Sequence, residues 1–160
     1  MRIGQSSDIH RFEKGRKLIL GGVPIPYEMG LVGHSDADAL LHAVAEAILG
    51  ALALGDLGHW FADTDPAWEG ADSQKILMAV AAMMKERSYR IGNVDSLLLI
   101  EEPKMAPYIE AMRGNIARCL HCSIDRVSVK ATRGEGLGFV GRKEGVLAQA
   151  VVLLEETHVS

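Results

Sequence analysis

The chain has little to offer a nucleic acid or a lipid bilayer. Aromatic residues make up 5% of its 160 positions, and 17 Lys and Arg face 21 Asp and Glu, for a formal net charge of −4. A duplex binder needs a basic stripe and a single-strand binder an aromatic platform, so no nucleic acid partner is expected. No apolar run approaches the roughly 18 to 20 residues of a membrane span. The opening MRIGQSSDIH also lacks the basic-then-apolar order of a leader segment. The expectation is therefore no membrane partner and a cytoplasmic location. Cysteine is confined to the string CLHC, with Cys119 and Cys122. That spacing suits a redox pair or half a zinc site, but the string ends an apparent helix instead of opening one, and no second cysteine pair completes a tetrahedron. Two half-buried thiols are expected.

What the chain does have is core-forming material, with 48% hydrophobic residues. A domain of this size buries about 70% of its unfolded surface without disulfides or structural metal, so any metal it holds is a functional one. No repeat, low-complexity tract or linker interrupts it, and a single domain over 1–160 is expected. Residues 1–10 read as a strand and 17–28 as a hairpin around Gly21 and Gly22. From 35 to 54 the period becomes helical, with Ser35 and Asp38 in a capping-box arrangement. A long Gly, Asp and Pro-rich loop covers 55–70, and long ordered loops are often functional. A helix over 72–87, a strand over 93–102, a helix from Pro107, a strand over 126–132 and a closing strand follow. The order predicts an α/β (α+β) fold, a mixed sheet with helices packed on one face.

Side chains two apart on a strand share a face, so Asp8 and His10 project together. On the following helix Asp38, His42 and Glu46 form one polar stripe beside the apolar one. Two histidines and a carboxylate are a recurrent ligand set for catalytic zinc, which Asp8, His10 and His42 fit. Packing histidines at a helix edge are the alternative. Asp38 or Glu46 is expected to orient the His42 ring. Ser35, with His34 before it, is placed at a helix N-terminus suited to a phosphate. The string GLGFVG has the GxGxxG form, but a strand follows it instead of a helix, which excludes a dinucleotide fold. Its glycines, with Lys130, Arg133, Arg142 and Lys143 nearby, make either an anion site or a plain turn. Asp56, Asp63 and Asp65 in the long loop are cation or substrate ligands, or turn formers.

In this order and spacing, RIG, DIH, GGVPIPYE, GHSDADALLHA, LGDLG, FADTDP, GADS, GNVDS, PKM, VKAT, LGF and GR resemble the 2-C-methyl-D-erythritol 2,4-cyclodiphosphate synthase family of the non-mevalonate isoprenoid pathway. The resemblance covers essentially the whole chain. It implies a homotrimer with active sites between neighbouring subunits. Asp8, His10 and His42 match the zinc ligands, and Glu135 matches a ligand of a second cation, magnesium or manganese. His34 and Ser35 match contacts to the phosphorylated end of the substrate, and Asp56, Gly58, Phe61, Asp63 and Asp65 match further contacts. Ile100, Pro103, Lys104, Met105, Ala131 and Thr132 correspond to the nucleotide pocket, and Phe139 and Arg142 to a central channel that can take an isoprenoid diphosphate. The implied reaction is metal-assisted intramolecular phosphoryl transfer that releases CMP. The sequence departs from the family at Arg133, where a phosphate-aligning threonine is usual, at Ile100, at Ser6 and Ser7, which stand for a glycine and an aromatic, and at Glu46, which stands for an aspartate. An altered paralogue that binds a cytidine nucleotide or an isoprenoid diphosphate without turnover is the alternative reading.

Overall fold

The computed structural model describes residues 1–157, so the last three positions of the expected domain lie outside the described residues. A long strand β1 (Arg2–Lys14) leads into a small hairpin, β2 (Leu18–Leu20) and β3 (Val23–Ile25), and the short β4 (Met29–Leu31). Then come α1 (Ala39–Ala51), the single turn α2 (Leu57–Trp60), α3 (Ser73–Glu86) and β5 (Tyr89–Leu99). The chain closes with α4 (Ile109–Leu120), β6 (Val127–Thr132), the single turn α5 (Gly138–Gly141) and β7 (Gly145–Glu156). Five strands form a mixed sheet in the order β4-β1-β7-β5-β6, in which only β5 and β6 are parallel. No helix among the described residues is long and apolar enough to cross a membrane.

The expected one-sided sheet is what forms. On β7, Val146, Ala148, Ala150, Val152 and Leu154 are buried, while Gln149 and Val151 between them are exposed. Helix α1 covers β1 and β7 and presents Ala39, Ala43 and Ala47, all without exposed surface, on a face that also buries Val44 and Ile48. Small residues let it come close: a Cβ at Gly4 would lie 1.8 Å from the Ala47 carbonyl oxygen. Down this contact β1 and α1 run antiparallel, with Gly4 against Ala47, Ser6 against Glu46 and Asp8 against His42. Four helical residues advance about 6.0 Å and two strand residues about 6.6 Å, so the i+4 step from Glu46 to His42 on α1 matches the two-residue step from Ser6 to Asp8 on β1. That match carries His42 to Asp8.

Two expectations about this helix are corrected. It begins at Ala39, not Ser35, and its N-cap is Asp38, whose carboxylate accepts from Leu41 N (3.0 Å), Gly21 N (2.9 Å) and Gly22 N (2.7 Å). Asp38 thus ties the turn of the β2–β3 hairpin to the helix and faces away from the polar stripe. Burial pushes its carboxyl up, against the backbone bonds that lower it. His34 and Ser35 sit in the preceding loop, so helix-terminal backbone N–H groups are not what they offer an anion.

Candidate active site

Asp8 and His10 project from the covered face of β1, and His42 reaches them from the first turns of α1. One ligand atom from each lies within 4.8 Å of the others. His10 Nε2 is 2.9 Å from Asp8 Oδ2, and His42 Nδ1 is 3.3 Å from the same oxygen. The far sides of the rings decide what these contacts are. His10 Nδ1 lies 2.7 Å from the Val32 carbonyl, which can only accept, so Nδ1 carries the proton. His42 Nε2 lies 2.8 Å from Ser73 Oγ. Ser73 Oγ gives its own proton to Asp36 Oδ1, so on this contact Nε2 is the donor. In the neutral rings, both remaining lone pairs therefore point at the Asp8 carboxylate. Three electron-rich atoms facing one another form a set that could hold a metal ion between them.

The protonation of these groups agrees with that pull. Burial alone would raise the Asp8 carboxyl, but His10 and His42 outweigh it and hold it at about 2. Burial would lower His10, but Asp8 and the Val32 carbonyl raise it. In this arrangement the predicted orienting role of Asp38 and Glu46 is also corrected. Glu46 instead accepts from Ser6 Oγ and from Leu57 N (3.2 Å), and Ser73 and Ser35 hold the His42 ring.

A cleft of about 240 Å³ opens over the three ligands, lined also by His34, Ser35, Glu46, Gly58, Phe61, Asp63 and Trp68. His34 Nε2 is buried with no hydrogen-bond partner among the described residues, a polar atom left for something in the cleft. Ser35 Oγ accepts from Ala37 N at 3.4 Å and meets the His42 Nε2–H at 3.2 Å, which leaves its own proton for an acceptor in the cleft. Asp56 and Asp65 do not line it. They cap α2 and the turn at Pro66–Trp68, accepting from His59 N and Ala67 N at 2.9 Å.

A second cleft, about 280 Å³, is lined by Ile100, Glu101, Pro103, Lys104, Met105, Ala131, Thr132 and Arg133, among others. All six residues expected in a nucleotide pocket are thus together. Glu101 was not foreseen: its Oε2 accepts from Gly134 N at 2.8 Å and anchors the glycine-rich loop to the end of β5. Asp8, Ala148, Leu98 and Ala131 stand in one row across the sheet. The two clefts are accordingly three strand spacings apart in one chain, about 14 Å. Glu135, exposed with a left-handed backbone (φ 53°), lines neither cleft, nor do Phe139 and Arg142. Arg142 pairs with Glu144 at 2.6 Å. Cys119 and Cys122 are free thiols as expected, but only the second is half-buried, the first being fully buried, and burial raises both.

A mixed α/β fold with a His, His, Asp cluster that could hold a metal ion in a polar cleft points to the class of enzymes acting on small molecules. The chain belongs to one family within it, the YgbB family, which matches residues 1–155. Its relatives are 2-C-methyl-D-erythritol 2,4-cyclodiphosphate synthases, as the sequence motifs suggested. That of Geobacter metallireducens is 59% identical over 155 residues, 97% of this chain and 99% of the relative. That of Trichlorobacter lovleyi is 57% identical over 96% of this chain and 98% of its own. Among solved structures, a 2C-methyl-D-erythritol-2,4-cyclodiphosphate synthase in its CDP-bound form is 37% identical, with a TM-score of 0.89 over 96% of this chain and 100% of that one.

Proposed function

We propose that the protein converts 4-diphosphocytidyl-2-C-methyl-D-erythritol 2-phosphate to the cyclic diphosphate and CMP, as a phosphorus–oxygen lyase of the non-mevalonate isoprenoid pathway. The observation that carries this reading is the convergence of two imidazole lone pairs on the Asp8 carboxylate inside a polar cleft. In the reaction an oxygen of the 2-phosphate attacks the β-phosphorus, the bond to the CMP oxygen breaks, and an eight-membered ring closes. Asp8, His10 and His42 would hold one zinc ion per subunit. Bound there, zinc supplies a Lewis acid that withdraws charge from the phosphoryl oxygens.

The chain's own part is positioning and charge, since the nucleophile belongs to the substrate. His34, through its unpartnered Nε2, and Ser35, through its free hydroxyl proton, seat the phosphorylated end, with Gly58, Phe61 and Asp63 around it. The pocket of Ile100, Pro103, Lys104, Met105, Ala131 and Thr132 takes the cytidine nucleotide. Arg133, at the rim of that cleft and in no ion pair among the described residues, supplies charge to the diphosphate where the family has a threonine. Glu135, the next acidic residue along the loop, is assigned to a second cation, magnesium or manganese.

A homotrimer with sites between subunits is supported by the uncovered face of the sheet, where Ile3, Ile9 and Val151 are exposed. Phe139 and Arg142 are assigned to its central channel and an isoprenoid diphosphate there. The reaction is placed in the cytoplasm, where two free thiols are stable. The relatives lend no support to a binding-only paralogue. The test is CMP release, followed chromatographically, together with zinc content. The wild type is expected to turn over with about one zinc per chain, and His42→Ala to lose the metal and at least about a hundredfold in rate. No CMP from the zinc-loaded wild type would overturn the reading.

A further inference from the structure

The group behind His42 is as ordered as the cleft in front of it. Ser73, the first residue of α3, is 1% exposed and lies 31 positions from His42 in sequence, yet its Oγ is 2.8 Å from His42 Nε2. Asp36 grips the same serine twice: Oδ1 accepts from Ser73 Oγ, and Oδ2 accepts from Ser73 N at 3.0 Å. The Asp36 carboxylate is held in turn by Asp38 N at 3.2 Å, and its own N–H is anchored on the Ala71 carbonyl at 3.1 Å. A carboxylate cannot donate, so the hydroxyl proton has one direction, toward Asp36. The serine oxygen then has one use for the ring, as acceptor of the Nε2 proton. The chain of polarity runs from Asp36 through Ser73 to His42 and leaves the Nδ1 lone pair facing Asp8.

We propose that Ser73 and Asp36 are a positioning pair that selects the Nε2–H tautomer and the plane of the His42 ring, and thereby sets the affinity of the metal site. This rests on the metal reading above and extends it to two residues that touch neither substrate nor ion. Partners behind a ligating histidine fix its tautomer and raise its basicity, and losing them typically costs about 10- to 100-fold in metal affinity. Ser35 cannot substitute, because its contact with Nε2 is longer, 3.2 Å, and its hydroxyl faces the cleft.

The two positions fail in different ways, and the difference is the test. Ser73→Ala removes the acceptor, so both tautomers become accessible. Asp36→Asn presents an amide that can donate to Ser73 Oγ, turn the hydroxyl proton toward His42 and invert the tautomer, much as an amide in place of the aspartate does in a catalytic triad. The measurements are zinc affinity, by competition with a chromophoric chelator, and the His42 ring 15N shifts of the metal-free protein above pH 8. For both variants zinc binding is expected to weaken by about 10- to 100-fold. Nδ1–H signal should appear in both, and Asp36→Asn should add nothing in the Ser73→Ala background, because Asp36 acts through the serine. Zinc binding within twofold of wild type in both variants, or an unchanged His42 tautomer, would overturn the proposal. Should Ser73→Ala fail to fold, Asp36→Asn alone decides it. A wild type that binds no zinc would refute the metal reading, while the tautomer comparison would still decide this one.

Discussion

At the scale of single residues, two positions that the resemblance marks as departures, Ser6 and Glu46, are in contact. Ser6 Oγ donates to Glu46 Oε2 across the β1–α1 contact. The other oxygen of Glu46 receives Leu57 N at 3.2 Å, so the carboxylate also holds the entrance to α2 and the rim of the first cleft. A hydroxyl grown on the strand thus binds a carboxylate extended by one methylene on the helix. Ser6→Gly should cost about 1.5 to 3 kcal/mol in denaturant unfolding, the value of a hydrogen bond to a charged group. Combined with Glu46→Asp, the loss should be smaller than the sum of the two singles, by a double-mutant cycle. Neither residue could be paired from the sequence, where they stand 40 positions apart. Asp36 and Ser73 were illegible for the same reason. Asp8 and His10 were legible because strand alternation alone puts them on one face.

At the scale of elements, the site depends on how closely α1 lies on β1. The helical period and the apolar stripe were readable, but the start was not. Ser35 and Asp38 are both good caps, and Asp38 prevails because three backbone N–H groups, two of them from the β2–β3 hairpin, converge on its carboxylate. The separation of strand and helix is set by Gly4, where any Cβ would meet the Ala47 carbonyl at 1.8 Å. Gly4→Ala must push α1 outward and should destabilise the fold by about 1 to 3 kcal/mol, as overpacking does. Since Asp8 and His42 face each other down the same contact, zinc affinity should fall with stability. A chelator titration beside a thermal melt checks both. A melt that shifts without loss of zinc would place the site on a stiffer footing than this geometry implies.

At the scale of the whole molecule, one face of the sheet has no covering layer among the described residues. Ile3, 72% exposed, and Val151, 47% exposed, stand on it beside the weak polar pair of Gln149 Nε2 and Ser7 Oγ at 3.4 Å. Assembly of three copies on this face would bury the isoleucines and leave Ser7 and Gln149 to soften the middle. Ile3→Lys with Val151→Lys should therefore give a monomer by light scattering. It should retain zinc, because the ligands point to the opposite face, and lose CMP release if, as proposed, each site is completed by a neighbouring subunit. Retention of full activity by the monomer would show that one chain can use both of its clefts across the intervening 14 Å or so of sheet.

The sequence by itself determined what local periodicity carries: an inward Asp8 and His10, a helix with His42 at the edge of its apolar face, and a one-sided sheet. Its ordered motifs also determined the family. Only the tertiary structure decided which of two caps starts α1, which aspartates line the cleft and which cap turns outside it, and which nitrogen of His42 faces Asp8. The last of these depends on hydrogen-bond partners brought together from 31 and 37 positions away. Such pairings follow from packing α1 and α3 around one loop, and no period in the sequence records them.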